Sequence, residues 1–175
     1  LPDADSVFQQ LTELPMPPPL EPGLILDGYR IVRELHASPA SQLYLALDTE
    51  SNHQVVLKTP SVNFEDDPGY LERFRHEEWA GRRIDSPHVV NMIEPARRRR
   101  FLYHVLEYLD GQTLRQWITT HSQPPLNEAQ AILEQIARGI RAFHRLDMLH
   151  RDLKPENIHL DQHGTARIID FGSVK

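Results

Sequence analysis

The sequence predicts an α+β fold, in which an N-terminal antiparallel sheet of five strands carries one helix and a mainly helical part follows. Three observations point to it. Short runs rich in Val, Ile, Leu and Tyr, separated by Ser, Pro, Asn and Asp, crowd residues 29–59. One stripe at helical spacing follows, at Tyr70, Phe74, Gly81 and Ile84. Beyond residue 113 the texture becomes helical, with Ala129, Ile132, Leu133, Ile136, Ile140 and Phe143 in one continuous stripe.

The elements can be justified in order. Residues 1–23 contain P-M-P-P-P-L-E-P-G, whose prolines fix φ and lack N–H donors, so an extended linker is expected with a domain boundary near Leu24. Residues 29–35, 42–48 and 54–59 read as three antiparallel strands. Asp67-Pro68 then supplies a cap and a first-turn residue for a helix. Glu77 falls on the apolar stripe of that helix, and a carboxylate there is costly unless a cation meets it, so a buried partner is expected. Residues 89–94 and 101–107 read as two further strands. The arginine run 97–100 between them reads as a solvated hairpin turn, with a docking patch for an acidic partner as the alternative. Thr113 caps a helix over 114–120, and Asn127 with Gln130 forms a capping-box-like opening for the longer one. H-R-D-L-K-P-E-N follows, then strands at 158–160 and 166–169 turned by D-Q-H-G-T, and finally D-F-G-S-V-K. The expected division is a linker at 1–23, a sheet unit at 24–109 and a helical unit at 110–175.

Composition removes several classes of function. A chain of 175 residues that is 39% hydrophobic and 25% charged can bury a core. Its net charge of -6 and pI near 5.9 argue against nucleic-acid or anionic-membrane partners, whose phosphates call for Lys and Arg. The absence of cysteine excludes disulfides, thiolate metal sites and a cysteine nucleophile, and fits a reducing cytoplasm. No run approaches the roughly 20 apolar residues of a bilayer helix. The ten histidines form no H-E-x-x-H pair and read as surface or satisfied core residues. Without an initial Met or a signal-like region, the chain is expected to be part of something longer.

The chemistry concentrates in H-R-D-L-K-P-E-N, residues 150–157, and in I-D-F-G a short hairpin later. On these motifs, residues 26–175 resemble the protein kinases, specifically the eukaryotic-like (Hanks-type) Ser/Thr protein kinases of bacteria. The resemblance implies ATP and Mg²⁺ as cofactors and Ser/Thr-bearing proteins as substrates. It places Asp152 as base or orienter of the substrate hydroxyl, Lys154 on the transferring phosphate, and Asn157 and Asp170 on Mg²⁺. Q-V-V-L-K resembles the family's third strand, which makes Lys58 the ligand of the α- and β-phosphates and the partner Glu77 requires, with Glu78 as the alternative partner. L-Y-H-V-L-E-Y-L-D-G resembles the strand and hinge between lobes, giving Leu106 as gatekeeper and the backbone of Glu107 and Leu109 as adenine contacts. Val55 or Val56, together with Leu160, would sandwich the adenine.

Two departures from the family stand out. Residues 35–46, L-H-A-S-P-A-S-Q-L-Y-L-A, occupy the place of the phosphate-covering loop, so that Leu35, His36, Ser38, Ser41 and Leu43 border the nucleotide. His36, Ser38 and Ser41 stand where three glycines belong, and Pro39 removes an N–H, so weaker or altered phosphate holding is expected, with serine hydroxyls as substitute donors. The second departure is that the sequence stops just past Asp170-Phe171-Gly172. Little peptide phosphorylation is therefore expected of these residues alone, Arg151 is expected to lack its phosphorylated partner, and the apolar stripe of the long helix is expected to be exposed. The proline stretch and glycine-poor loop also resemble bacterial kinases fused behind a metal-dependent phosphatase.

Overall fold

The computed structural model describes residues 14–171 together with Ser173 and Val174. The described residues group into two units, one falling within Leu1–Trp79 and Met92–Tyr108 and the other within Ala80–Asn91 and Leu109–Lys175.

The first unit is built on β1 (Ile25–Leu26), β2 (Tyr29–Ala37), β3 (Ser41–Asp48), β4 (Gln54–Pro60), β5 (Met92–Ile93) and β6 (His104–Glu107), with helix α1 (Pro68–Gly81) after β4. They form a six-stranded sheet in the order β1-β2-β3-β4-β6-β5, every pair antiparallel. The sequence pattern predicts five. The added strand, β1, is too short to show alternation, but its turn carries a signal. Asp27 and Gly28 have φ of 48° and 85° between the paired residues Leu26 and Tyr29, as a two-residue hairpin turn of the primed type requires.

Period-two alternation puts Tyr29 and Ile31 of β2, Tyr44 and Ala46 of β3 and Val55 and Leu57 of β4 into one core cluster, joined by Leu20, Tyr103 and Val105. The opposite face of β4 is buried as well, which is why its apolar run is nearly continuous.

Two expected strands are shorter than their apolar runs. Within 101–107 the Leu102 N–H donates to Pro15 O at 2.8 Å, outside the sheet ladder. Leu14 packs on Phe74 and Leu102, so residues 14–20 of the expected linker lie against the first unit, while residues 1–13 fall outside the described part. Within 89–94, Val89 bridges Ile168 and the Val90 N–H donates to Ile168 O at 2.8 Å, which assigns that end to the second unit.

The arginine run is solvated only in part: Arg98 and Arg100 are exposed, but Arg97, Arg99 and Arg100 all meet carboxylates. Arg97 Nε donates to Asp27 O at 2.8 Å and its Nη1 to Asp48 Oδ1 at 3.3 Å. Arg99 Nη1 donates to Glu78 Oε2 at 2.7 Å, and Arg100 Nε to Asp27 Oδ1 at 2.7 Å. The reason is that Asp27, Asp48 and Glu78 are all buried, and a buried carboxylate is tolerated only with a partner.

In the second unit, helix α2 (Leu114–Thr120) opens with a capping box, Thr113 Oγ1 accepting from Gln116 N at 3.2 Å and Gln116 Oε1 from Thr113 N at 2.8 Å. Helix α3 (Leu126–His144) begins ahead of Asn127 with Pro125 as its cap. Asn127 therefore lies inside the helix and forms no capping box with Gln130, whose Nε2 donates to Glu134 Oε1. Its buried face is Ile132, Ile136, Gly139 and Phe143, while Leu133 of the expected stripe is 65% exposed. Strands β7 (Gln112–Thr113), β8 (Ile158–Leu160) and β9 (Ala166–Ile168) form an antiparallel sheet in that order, and α3 packs on β9. Gln135 holds the β8–β9 turn, accepting from Ala166 N and donating to Gly164 O, each at 2.9 Å.

Gly139 is where α3 comes closest to its neighbours. A Cβ there would stand 2.7 Å from His88 O and 3.0 Å from Ile168 Cδ1. Alanine in a helix interior ordinarily gains up to about 1 kcal/mol over glycine, but overpacking against backbone costs about 1–3 kcal/mol. Gly139→Ala is therefore expected to lower the urea midpoint of the second unit. An unchanged or raised midpoint would show that α3 shifts without cost.

Candidate active site

Lys58 lies near the end of β4, and alternation decides what shares its face. Val55 and Leu57 belong to the core cluster, so Val56 and Lys58 lie on the other side. Cross-strand register sets Leu43 and His104 beside Lys58, and Leu45 and Leu106 beside Val56. Of the two valines the sequence leaves open, Val56 is thus the one on the lysine's face. Glu107 is half-buried and pairs with Val55.

Helix α1 meets this face through two carboxylates. Lys58 Nζ donates to Glu77 Oε1 at 2.5 Å, with the two side chains 11% and 4% exposed. An unpaired charge would cost several kcal/mol to bury, and the ion pair offsets that cost for both groups. Glu78 is engaged elsewhere. Arg99 Nη1 and Nη2 donate to its two oxygens at 2.7 and 3.1 Å, a bidentate fork, and His104 Nδ1 lies 3.3 Å from Oε2. Burial alone would raise the Glu78 carboxyl, but the hydrogen bond and charge of His104, reinforced by Arg99, overcome it and hold the group at about 2. His104 also bonds Phe74 O through Nε2 at 2.8 Å and stacks on the Phe74 ring at 4.1 Å. Sequence pattern does not mark His104 and Arg99 as partners of Glu78. The available signal is a histidine in step with Leu102 and Leu106 within an apolar run.

The phosphate-loop position is a tight turn between β2 and β3. Ser38 N donates to Ser41 O at 2.9 Å, and Ala40 N and Ser41 N donate to Ser38 Oγ at 3.3 and 3.0 Å. Ser38 Oγ donates in turn to Ser41 O at 3.1 Å. The Ser38 hydroxyl is therefore engaged within the turn and is not the outward substitute donor expected for it. Positive φ among described non-glycine residues occurs at Asp27, Asn52, Asp147 and Arg151, not here, so the turn is built without the backbone conformations glycine supplies. Leu35 is half-buried at a bulge between Glu34 and His36, exposed His36 pairs with Leu43, and Ser41 pairs with Pro60.

The second unit gathers Asp152, Lys154 and Asn157. Asp152 Oδ2 accepts from Lys154 Nζ at 3.1 Å and from Asn157 Nδ2 at 3.2 Å, and Asn157 Nδ2 also donates to Asp152 O at 2.9 Å. The hydrogen bond to Asp152, then its charge, with smaller help from Glu156 and Asp170, holds the Lys154 ammonium above its ordinary range. His150 Nε2 bonds Asp170 O at 2.6 Å, while its Nδ1 accepts from Asp152 N at 3.3 Å. Arg151, expected to lack a partner, adopts φ of 63° and donates through Nε to Ser173 O at 2.8 Å. Leu160 is buried in β8, and Leu109 and Asp170 are half-buried.

The donor set suits Mg²⁺. Asn157 commits its amide nitrogen to Asp152, leaving Oδ1 as the end available to a cation, and Asp170 adds a carboxylate. Two hard oxygen donors are what Mg²⁺ takes from a protein when phosphates and waters complete its shell.

A lysine–glutamate pair thus ties the sheet of the first unit to its helix, and an aspartate–lysine–asparagine cluster precedes Asp-Phe-Gly in the second. The family model for the protein kinase domain matches residues 29–175, and the chain belongs to that family. It is 32% identical over 148 residues to the serine/threonine-protein kinase PrkC of Bacillus subtilis, covering 85% of this chain and 23% of that protein. It is 34% identical over 158 residues to the serine/threonine-protein kinases PknA of Corynebacterium glutamicum, covering 87% of this chain and 34% of that one. Among solved structures, the PknI kinase domain of Mycobacterium tuberculosis aligns with a TM-score of 0.72 at 27% identity, over 89% of this chain and 63% of that one. The chain thus spans about a quarter to a third of the length of these curated relatives.

The Glu78 arrangement predicts an acid dependence. A carboxyl held near 2 in the folded state, against 4.5 as its ordinary value, contributes stability above about pH 4.5 and loses it as pH falls toward 2. Glu78→Gln should lose on the order of 3 kcal/mol at pH 7 and flatten the fall in stability between about pH 5 and pH 2 in urea unfolding. A variant with an unchanged acid limb would refute the assignment.

Proposed function

We propose that the chain carries the ATP- and Mg²⁺-dependent machinery of a serine/threonine protein kinase, which moves the γ-phosphoryl group of ATP onto Ser or Thr hydroxyls of protein substrates. The observation that carries this reading is the Asp152 carboxylate, shared between Lys154 and Asn157 through the same oxygen. Phosphoryl transfer needs positioning and charge neutralisation more than covalent chemistry. Asp152 orients the incoming hydroxyl and takes its proton, and Lys154 neutralises the phosphoryl group in transit. Lys58, held by Glu77, takes the α- and β-phosphates. Asn157 and Asp170 are the residues for Mg²⁺, which supplies further neutralisation of phosphate charge when bound. Val56, Leu106 and Leu160 are assigned to the adenine faces, and the backbone of Glu107 and Leu109 to its edge.

The coverage of 63% of an aligned kinase domain supports little peptide phosphorylation by residues 1–175 alone. No helix among the described residues is long and apolar enough to cross a membrane, and a cytoplasmic site of action is part of the proposal. An upstream phosphatase domain, suggested by the proline-rich stretch and the glycine-poor loop, also belongs to it, and the sequence preceding Leu1 decides that point.

A second reading, a nucleotide-sensing interaction module without transfer, draws on the self-contained turn at Ser38–Ser41. Titration of the complete protein with ATP and Mg²⁺ separates the two. Lys58→Met should abolish the nucleotide-dependent rise in Tm, whereas Asp152→Asn should keep that rise and lose about 10²–10⁴-fold in transfer. Binding by the unsubstituted protein without transfer selects the sensing module, and no binding defeats both readings.

A further inference from the structure

Tyr70 has no role in the chemistry above, yet its hydroxyl stands where three elements meet. It lies on α1 and is 9% exposed. Its hydroxyl donates to Ala40 O in the β2–β3 turn and accepts from Ser61 N, one residue beyond β4, at 2.9 Å. Ser61 N also reaches Ala40 O at 3.3 Å. One oxygen therefore links the turn at the phosphate-loop position, the end of the strand bearing Lys58 and the helix bearing Glu77. The ring cannot easily swing away, because Phe64 stacks on it at 4.9 Å and Phe74 lies against it at 6.5 Å. Tyr70, Phe74 and Glu77 follow one another at helical spacing on one face of α1.

We propose that Tyr70 is a positioning residue for ATP, whose hydroxyl fixes the Ser38–Ser41 turn relative to the Lys58–Glu77 pair. A glycine-rich loop settles onto phosphates through its own backbone freedom. This turn has little such freedom, since the Ser38, Ala40 and Ser41 amides are bonded within it, so its place must be set from outside. Tyr70 sets it from the same helix that sets Glu77, and loop and lysine form one frame. Burial raises the Tyr70 phenol, so it remains a donor across the working pH range.

The inference rests on the nucleotide reading of Lys58, and its test keeps the two apart. Tyr70→Phe in the complete protein retains the ring and removes only the bridge. With MgATP as the probe, KM for ATP should rise about five-fold, the size of one net hydrogen bond, while kcat stays within about two-fold. Hydrogen exchange at the Ser61 amide should quicken about ten-fold, with Tm falling by no more than the few degrees that one hydrogen bond is worth. A purely structural role would lower Tm and leave KM alone. Unchanged KM beside faster Ser61 exchange overturns the positioning role, and unchanged Ser61 exchange overturns the bridge itself. Absence of MgATP binding by the unsubstituted protein overturns the kinase reading and the positioning role with it, while Ser61 exchange still reports on the bridge.

Discussion

Two adjacent buried carboxylates on one helix, Glu77 and Glu78, are the constraint from which the first unit follows. They are 3% and 1% exposed, and successive helical side chains diverge by about 100°, so one cation cannot serve both. The sequence provides two separate answers, Lys58 on β4 for Glu77 and the Arg99–His104 pair at β6 for Glu78. Lys58 and His104 are register partners across β4 and β6, so the two anchors stand side by side in the sheet. Together they set both the rotation of α1 and its position along the strands. A slip of one residue would present Glu78 to Lys58 and leave the arginine fork without its carboxylate.

Half of this arrangement was legible in the sequence. Glu77 sits on a stripe that is otherwise apolar, and Lys58 ends a strand-like run, so each advertises an unmet need that local pattern can reveal. Glu78 advertises nothing, because its neighbour already explains a charge at that point on the helix. The arginine run looks solvated because charge runs usually are. Only the fold shows that it faces Asp27, Asp48 and Glu78, and sequence distances of 70, 49 and 21 residues place those contacts beyond local pattern. The Asp27-Gly28 hairpin lay between these cases, with a plain turn signal attached to a strand too short to show its period.

Residues 150–157 and the Ser38–Ser41 turn differ in the same way. Asp152, Lys154 and Asn157 satisfy one another within five residues, so their motif and their geometry are nearly one thing. The Ser38–Ser41 turn is local as well, but its residues depart from the family's, and what replaces glycine could not be read from the string. Part of the answer is internal, in the Ser38 hydroxyl. The rest comes from Tyr70, 30 residues away, which no spacing rule connects to it. The turn is tied by its own hydrogen bonds where the family's pattern calls for glycine, and that is what gives Tyr70 its significance.

If paired burial of charge on α1 organises the first unit, Lys58 and Glu77 must be energetically coupled. A double-mutant cycle in urea unfolding, with Lys58→Met, Glu77→Gln and both together, measures that coupling. Each single variant should cost about 3–5 kcal/mol by breaking a buried ion pair, and the double variant should cost clearly less than the sum of the two. Additive costs would contradict the account, because they would mean that the two side chains are buried together without depending on each other.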